Sequence, residues 1–324
     1  MRQAKIRSEM EIQEKTTQGT PPQGKTTNVN PAPFQEVPTR TSPLRNNIFK
    51  CRDKELILGT KTLIMGVLNV TPDSFYDGGK YTQVDKALQH VEQMIDEGAD
   101  IIDIGGESTR PGSDGVSKEE ECERVIPIIK EINKRFDIVV SIDTTKSGVA
   151  LRALEEGASI INDISGFNFD EKIAQTASKY GAGVVLAHTP SRPKDMQENT
   201  QYKSLIDDVI EALRASINIA EQSGIDKNSI IVDPGFGFGK TADQNLILLK
   251  NLEKLRELGK PILIGTSNKS FIGKTLNTEI DERLEGTAAT VAIGILYGAS
   301  IVRVHDIAQM KRVSTMVDAV LNVN

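Results

Sequence analysis

The chain has 324 residues and a formal net charge of -6, and this acidic balance argues against nucleic acid or an anionic membrane surface as its main partner. Any anion-binding site must therefore be local. Because the two cysteines show no metal or redox spacing and neither a membrane-spanning nor a signal-type apolar run occurs, we expect a cytoplasmic protein.

The N-terminal segment, residues 1–47, is polar and rich in Thr, Gln, Pro and Asn. Such a composition cannot bury enough apolar surface to offset the entropy that is lost on ordering. We therefore interpret residues 1–47 as a disordered extension, with a dispensable tail favoured over a regulatory arm. A single folded domain is expected over residues 55–324.

From residue 55 onward, short β-rich apolar runs alternate with amphipathic stretches of helical length. The predicted strands cover residues 62–70, 100–106, 138–144, 159–165, 183–189, 229–235, 261–267 and 300–306. Four intervening helices end in a glycine that is typical of a C-cap, namely Gly98, Gly157, Gly181 and Gly298. Apolar strands separated by helices indicate a parallel sheet covered by helices. Eight such units predict an α/β fold, a single TIM (β/α)₈ barrel; a doubly wound open sheet is the less favoured alternative.

Polar groups follow every predicted strand, at the end where TIM barrels form their active sites. They are Asn69, the loop 105–112, Asp143, Asn162, His188, Asp233, Ser267 with Lys269, and Arg303 with His305. Each alone has a structural explanation, such as a helix N-cap or a satisfied core amide. Their coincidence at one end of the barrel predicts a functional site.

The predicted site divides by charge. Hydrogen-bond acceptors come from the middle strands, and cations come from the last two strands and the loop 105–112. The acceptors are Asp143, Asn162 and Asp233, and the cations are Lys269, Arg303, His305 and Arg110. TIM barrels often bind phosphate near their last two strands. A polar heterocycle that carries a phosphate-like group fits both halves.

Two longer stretches are specific. "IMGVLNVTPDSFYDGG" (64–79) and "GADIIDIGGESTRPGS" (98–113) resemble the signature stretches of the dihydropteroate synthase family. The motifs "SIDT", "INDISG", "DPGFGFGK", "NKSFIG" and "VRVHD" follow in matching order, so the resemblance covers residues 55 to 320 approximately. It implies condensation of 6-hydroxymethyl-7,8-dihydropterin diphosphate with p-aminobenzoate, which yields 7,8-dihydropteroate and pyrophosphate in folate synthesis. It also implies a homodimer.

The resemblance assigns roles to individual residues. The pterin ring would be held by Asp143, Asn162, Asp233 and Lys269. The diphosphate would be bound by Arg303 and His305, and Asn69 would coordinate the Mg²⁺ attached to it. Thr109 and Arg110 would lie on a mobile loop, and the p-aminobenzoate pocket would be shaped by Phe75, Pro111, Phe238 and Ser267. Of these residues, Lys269, Arg303, His305 and Arg110 are the predicted catalytic set.

The glycine-rich stretch "DPGFGFGKT" (233–241) superficially resembles a nucleotide-binding loop, but a P-loop would need glycine at Pro234 and a dinucleotide loop would need it at Lys240. We expect its glycines, at 235, 237 and 239, to let the backbone pass close to a flat ligand, with Phe238 facing an aromatic substrate. Lys240 either closes over the site or is solvated.

The chain departs from the family pattern at Asn268, where the family usually has arginine. Strand alternation would direct this side chain away from Ser267 and Lys269, so we expect it to tune affinity without abolishing activity. His188 is expected to be a core residue with a hydrogen-bonded ring, and His90 a surface residue.

Two other functions remain open. A pterin-dependent methyltransferase barrel would share the ring-holding carboxylates and amide, but it would lack arylamine loops and a diphosphate site. A catalytically silent pterin-binding module is the second alternative. The signature loops, with Arg303 and His305, count against the methyltransferase. The silent binding module is disfavoured by the intact set of Asn69, Arg110, Lys269 and His305.

Overall fold

The computed structural model describes residues 47–70, 80–110 and 112–323. The predicted disordered extension, except residue 47, lies outside these ranges, and so do Phe75 and Pro111. Within them, eight parallel strands form a closed barrel in the order β10-β3-β4-β5-β6-β7-β8-β9, which confirms the predicted TIM barrel. The barrel strands are β3 (Leu63–Asn69), β4 (Ile101–Gly105), β5 (Val139–Asp143), β6 (Ile160–Asp163), β7 (Gly183–Ala187), β8 (Ile230–Asp233), β9 (Ile262–Ile264) and β10 (Ala299–Val304).

Helices cover the outside of the barrel. In the described ranges they are α1 (Lys80–Asp96), α2 (Lys118–Arg135), α3 (Ser147–Glu155), α4 (Lys172–Tyr180), α5 (Leu205–Gln222), α6 (Ala242–Lys250), α7 (Ser270–Leu276), α8 (Leu284–Leu296) and α9 (Ile307–Asn322). The four glycines predicted to end helices all have positive φ angles, as a helix C-cap requires. None of these helices has both the length and the hydropathy needed to cross a membrane.

An antiparallel hairpin closes the N-terminal end of the barrel. Its strands are β1 (Asn47–Cys51), which begins at the last residue of the predicted tail, and β2 (Lys54–Leu58), which extends past the predicted domain start at residue 55. Phe49 and Leu58 are each 1% exposed and pack against the apolar residues inside the barrel. An added Cβ on Gly183 would lie 2.5 Å from the Phe49 ring, so the glycine makes room for this plug.

The inner face of the barrel changes from apolar to polar along each strand. Side chains alternate between the two faces of a strand, so residues two apart share the inner face. On β4, β8 and β10 an apolar inner residue is followed two positions later by a charged one: Ile101 by Asp103, Ile231 by Asp233, and Ile301 by Arg303. The strands therefore carry a stabilising apolar layer at one end and a ring of polar groups at the other.

Candidate active site

Arg303 lies at the centre of the polar end of the barrel. Its Nε donates to Asp103 Oδ2 at 2.6 Å, and one terminal nitrogen donates to Asp143 Oδ2 at 2.7 Å. Asn162 donates to the same oxygen of Asp103 at 3.0 Å. The other carboxyl oxygens of Asp103 and Asp143 are buried without a hydrogen-bond partner. Buried acceptors of this kind favour a ligand that brings N–H donors.

Asp103 is a component of this cluster that the sequence analysis missed. For this strand the predicted site residues came from the loop 105–112, and Asp103 comes two positions before the end of β4. Its side chain is fully buried and is held by two donors, Arg303 and Asn162. The available signal was strand alternation, because an aspartate two residues from Gly105 must share its face.

Burial shapes the acidity of the two predicted ring-holding carboxyls. Desolvation raises the pKa of Asp143 to about 7, although the positive charge of Arg303 opposes this shift. Desolvation also raises the pKa of Asp233, whose carboxylate accepts a hydrogen bond from the Gly235 backbone at 2.7 Å. A ligand that donates hydrogen bonds to these carboxyls would favour their ionised forms.

Lys269 and Phe238 are in direct contact. The Lys269 ammonium lies 4.3 Å from the centre of the Phe238 ring, within the range of a cation–π interaction. The ring is 7% exposed and packs with Ile164 and Met196 in a small separate cluster. Desolvation, with the charge of Arg303, lowers the pKa of Lys269 to about 8. Two side chains predicted to serve different substrates therefore touch before any ligand binds.

His305 and Ser267 form a pair at the end of the last barrel strand. The Ser267 hydroxyl accepts from the His305 backbone N–H at 3.3 Å and lies 3.0 Å from Nδ1 of the same residue. A hydroxyl that accepts there and donates to Nδ1 leaves the imidazole proton on Nε2. Desolvation and the neighbouring cations, Arg303 first, lower the pKa of the His305 ring to about 4. The neutral ring can thus offer one N–H to an anion.

Asn268 lies in a turn and not in an extended strand, because β9 ends at Ile264. Its φ angle is +58°, in the left-handed region where asparagine is enriched. Its backbone carbonyl accepts from Arg283 at 2.9 Å. The expected orientation of the Asn268 side chain assumed an extended strand, and that assumption is wrong. The left-handed turn suits asparagine at this position.

Asn69 is exposed at the end of β3, close to Gly105 on the neighbouring strand. A Cβ built on Gly105 would lie 3.7 Å from Asn69 Oδ1 and 3.8 Å from Asp143 Oδ2. Both oxygens thus border the space above this glycine. Among the described side chains, no cluster of three or more His, Cys, Asp or Glu residues could hold a metal.

The β4–α2 loop (residues 106–117) is fixed at both of its ends. Glu107 near its start forms an ion pair with Lys146 and accepts from the backbone of Val116 near its end, at 3.2 Å. Lys146 also pairs with the fully buried Glu121 at 2.6 Å. Between these anchors, Thr109 is half-buried and Arg110 is exposed. The intervening segment is also held, because the Gly112 backbone donates to the Pro193 carbonyl at 2.9 Å and the Ser113 hydroxyl donates to the Arg110 carbonyl at 2.7 Å.

The three glycines of the β8–α6 loop (residues 234–241) do not face open space. Their φ angles are +72°, +81° and +56° for 235, 237 and 239, a region that side chains disfavour. An added Cβ would meet protein atoms at each position: the His188 carbonyl oxygen at 2.0 Å from Gly235, the Lys269 stem at 3.1 Å from Gly237, and Pro190 at 2.1 Å from Gly239. Packing within the protein therefore requires glycine at these positions, and the approach of the loop backbone to a flat ligand stays a prediction.

Lys240 neither closes over the site nor lies in solvent. It is 3% exposed, and its ammonium binds the carbonyls of Gly235 and Phe238 at 2.9 and 3.0 Å and Nδ1 of His188 at 3.1 Å. Both alternatives raised from the sequence are wrong for this residue. His188 is 8% exposed with a bonded ring, which confirms its core role. His90 is exposed on α1, as predicted.

Comparison with known proteins agrees with this geometry. The sequence profile of the pterin-binding enzyme family matches residues 65–305. A dihydropteroate synthase of Clostridium beijerinckii is 52% identical over 273 residues, which are 84% of this chain and 99% of that protein.

Solved structures of dihydropteroate synthases are also similar, including the following two. The first is a dihydropteroate synthase of Clostridium difficile determined in the presence of pteroic acid. It has a TM-score of 0.77 and 46% identity, and the match covers 81% of this chain and 98% of that one. The second, from Xanthomonas albilineans with 4-aminobenzoic acid, has a TM-score of 0.80 and 38% identity and covers 86% and 100% of the two chains.

Proposed function

The chain belongs to the pterin-binding enzyme family, and on this premise we propose that it catalyses the dihydropteroate synthase reaction. It condenses 6-hydroxymethyl-7,8-dihydropterin diphosphate with p-aminobenzoate to give 7,8-dihydropteroate and pyrophosphate. One observation carries the proposal: two unpartnered, buried carboxyl oxygens lie beside the guanidinium of Arg303 in the barrel mouth. Such a site accepts N–H donors on one side and an anion on the other.

The pterin ring is held by the acceptors. Asp143, Asn162 and Asp233 take the ring N–H groups, and Lys269 binds the ring near the carbon that reacts. Burial disfavours the ionised carboxyls of Asp143 and Asp233 in the free protein. Ring donors reverse that preference, and each charge-assisted hydrogen bond contributes about 1.5–3 kcal/mol.

The diphosphate is bound by the cations around Arg303. The neutral ring of His305 donates from Nε2, and Arg110 comes in from the β4–α2 loop. As the bond between the pterin methylene carbon and the diphosphate oxygen breaks, its electron pair leaves with the diphosphate. Positive groups placed at the leaving oxygen stabilise that charge, and such electrostatic contributions are usually the largest single factor in catalysis.

A Mg²⁺ ion fits this site as a companion of the substrate. Mg²⁺ keeps several waters and is commonly bound by one or two protein oxygens together with substrate phosphates. Asn69 Oδ1, exposed beside the Asp143 carboxylate above Gly105, suits that role. When bound, the ion would help to neutralise the diphosphate.

The arylamine binds against the Phe238 and Ser267 side of the mouth. Thr109 closes over it from the β4–α2 loop. Phe75 and Pro111, which were also predicted to shape this pocket, lie outside the described residues. The amine nitrogen forms the new bond to the methylene carbon and releases its proton to water. Because an arylamine is neutral at physiological pH, no side chain has to act as a general base.

We also propose a cytoplasmic homodimer. Large hydrophobic side chains are exposed on α6, α7 and α8 and on the short turn between the last two: Leu246, Ile247, Leu276, Ile280 and Ile293. A second copy of the chain would cover such side chains. Sedimentation equilibrium tests this, and a monomer at micromolar concentration would contradict it.

The activity is tested by pyrophosphate release with and without p-aminobenzoate, with mass spectrometry of the product. Release that depends on both substrates, together with formation of dihydropteroate, is expected. A methyltransferase would release no pyrophosphate. A silent pterin-binding module would bind the pterin in calorimetry and form no product.

A further inference from the structure

The β8–α6 loop (residues 234–241) carries Phe238, whose ring contacts Lys269 at the mouth of the barrel. Its other aromatic residue, Phe236, is 1% exposed in the outer core and packs on Phe271. The three glycines of the loop add no side chain. The position of the Phe238 ring therefore depends on how the loop backbone is held.

Lys240 holds that backbone from inside. Its side-chain nitrogen donates to the carbonyls of Gly235 and Phe238 and lies 3.1 Å from Nδ1 of His188. Removing one partner of a buried charged hydrogen bond leaves the others unpaired, which is why such contacts fix local geometry strongly. The two carbonyls belong to residues on either side of the turn, so one ammonium sets the shape of the loop.

Other side chains hold the same loop from outside. Gln197 donates to the Gly237 carbonyl at 2.7 Å, and the Tyr202 hydroxyl donates to the Gly239 carbonyl at 2.9 Å. Asn245 accepts from the backbone of Gly237 at 2.7 Å. Four of the five carbonyls from 235 to 239 are thus bound by side chains. A loop that only connected a strand to a helix would not require so many polar contacts.

We propose that Lys240 is a positioning residue, which fixes the ring of Phe238 as one wall of the arylamine site. This inference rests on the proposed dihydropteroate synthase reaction and deepens it. Lys240 touches no substrate: it acts through the loop backbone and Phe238. Of the groups proposed for the pterin diphosphate, Asp143, Asn162 and Arg303 are on other strands, so their contacts do not depend on it. Asp233 directly precedes the loop and accepts from the Gly235 backbone, so the pterin contacts depend on Lys240 less than the arylamine wall does.

The test compares two buried lysines. Lys240→Met keeps the aliphatic stem and removes the three polar contacts. The matched control is Lys260→Met, at a lysine 7% exposed whose ammonium binds Glu221 and the Lys227 carbonyl, away from the site. We expect Lys240→Met to raise the KM for p-aminobenzoate at least tenfold, with the KM for the pterin diphosphate changed less than threefold. Lys260→Met should lower only the melting temperature.

A double-mutant cycle tests whether Lys240 acts through Phe238. Phe238→Ala alone should raise the p-aminobenzoate KM, and adding Lys240→Met should raise it little further, because coupled residues are not additive. If the two substitutions raise the p-aminobenzoate KM by factors that multiply in the double variant, as independent effects do, the inference is overturned. So would a Lys240→Met protein that loses melting temperature with both KM values unchanged, as the control does.

If Lys240→Met does not fold, Lys240→Gln serves in its place, since its amide can still donate to one loop carbonyl. It should shift the same KM in the same direction by a smaller factor, and an equal shift in both KM values would overturn the inference. A wild-type protein that forms no dihydropteroate would overturn the proposed function. Normal wild-type turnover, together with Lys240 variants whose KM values are unchanged, would overturn only the role of Lys240.

Discussion

The two ends of the barrel use the same strands for opposite purposes. At the N-terminal end, the β1–β2 hairpin and the inner apolar residues form a closed layer in which Phe49 is 1% exposed. At the C-terminal end, the same inner faces carry Asp103, Asp143 and Arg303, with two buried carboxyl oxygens left without partners. A few residues along each strand separate a region built for stability from one that is incomplete without a ligand.

The difference shows where this protein tolerates unfavourable energetics. Burying an acceptor without a donor costs free energy, and so does holding several like-charged groups together. The apolar layer and the hairpin supply the stability that allows this. Changes at the hairpin end should therefore alter stability alone, and changes at the polar end should alter binding and turnover.

The largest expected effect is that of Arg303→Met at the polar end. It removes the central cation and leaves the Asp103 and Asp143 charges facing the incoming diphosphate. We expect kcat/KM to fall by about 10⁴-fold, or roughly 5.5 kcal/mol. The matched control is Arg52→Met in the hairpin, whose guanidinium binds the carbonyls of Leu154 and Ala158. Steady-state kinetics of Arg52→Met should show an unchanged kcat. A large loss of kcat in this control would contradict the division of roles between the two ends of the barrel.

The hairpin plug is tested by Phe49→Ala. Truncating a fully buried phenylalanine typically costs about 3–5 kcal/mol of stability. Denaturant unfolding should show this loss, and kcat per folded molecule should stay unchanged. A fall in kcat without loss of stability would show that the two ends are coupled and that the comparison is too simple.

Asp233→Asn should weaken pterin binding by about 1.5–3 kcal/mol, because an amide offers a donor where an acceptor is needed. The pKa of Asp233 is raised by burial, so replacing the carboxylate with a neutral group should not lower the stability of the ligand-free protein at pH 8. Calorimetry with a dihydropterin measures the affinity. Unaltered affinity would remove Asp233 from the proposed site.

The raised pKa of Asp143 predicts a pH dependence. Its value of about 7 in the folded protein, against an ordinary 3.8, means that the folded state favours the protonated form. The ligand-free protein should therefore lose stability as pH rises between these two values. Pterin binding, which needs the ionised form, should weaken as pH falls below about 7, by up to about tenfold per pH unit. Asp143→Asn should abolish this slope, and a persistent slope would assign it to another group.

The smallest effect is expected for Asn268→Arg. Arginine in a left-handed turn costs about 1 kcal/mol of stability, and kcat/KM should stay within about tenfold of wild type. Asn268→Gly, which adopts this conformation freely, is the control and should change neither quantity. An Arg variant that is more active by over a hundredfold would show that the side chain enters the site.

The prediction from sequence succeeded where the pattern is local. The strands, the C-cap glycines and the barrel follow from apolar runs, helical spacing and Gly at helix ends, which reflect short-range backbone and burial preferences. Asp103 was missed because its partner Arg303 lies 200 residues away along the chain. The hairpin was missed because an isolated five-residue strand has little signal until Phe49 meets the inside of the barrel.

The sequence by itself determined the closed barrel, the end at which polar groups gather and the family to which the chain belongs, since each of these depends on residue type and spacing along the chain. Tertiary structure decided which polar groups meet. It placed Arg303 between two carboxylates, buried Lys240 under the loop that it holds, and turned the glycines of that loop against His188, Lys269 and Pro190. The physical reason is that burial and contact across the barrel, which set charge, pKa and packing, exist only once distant strands are brought together.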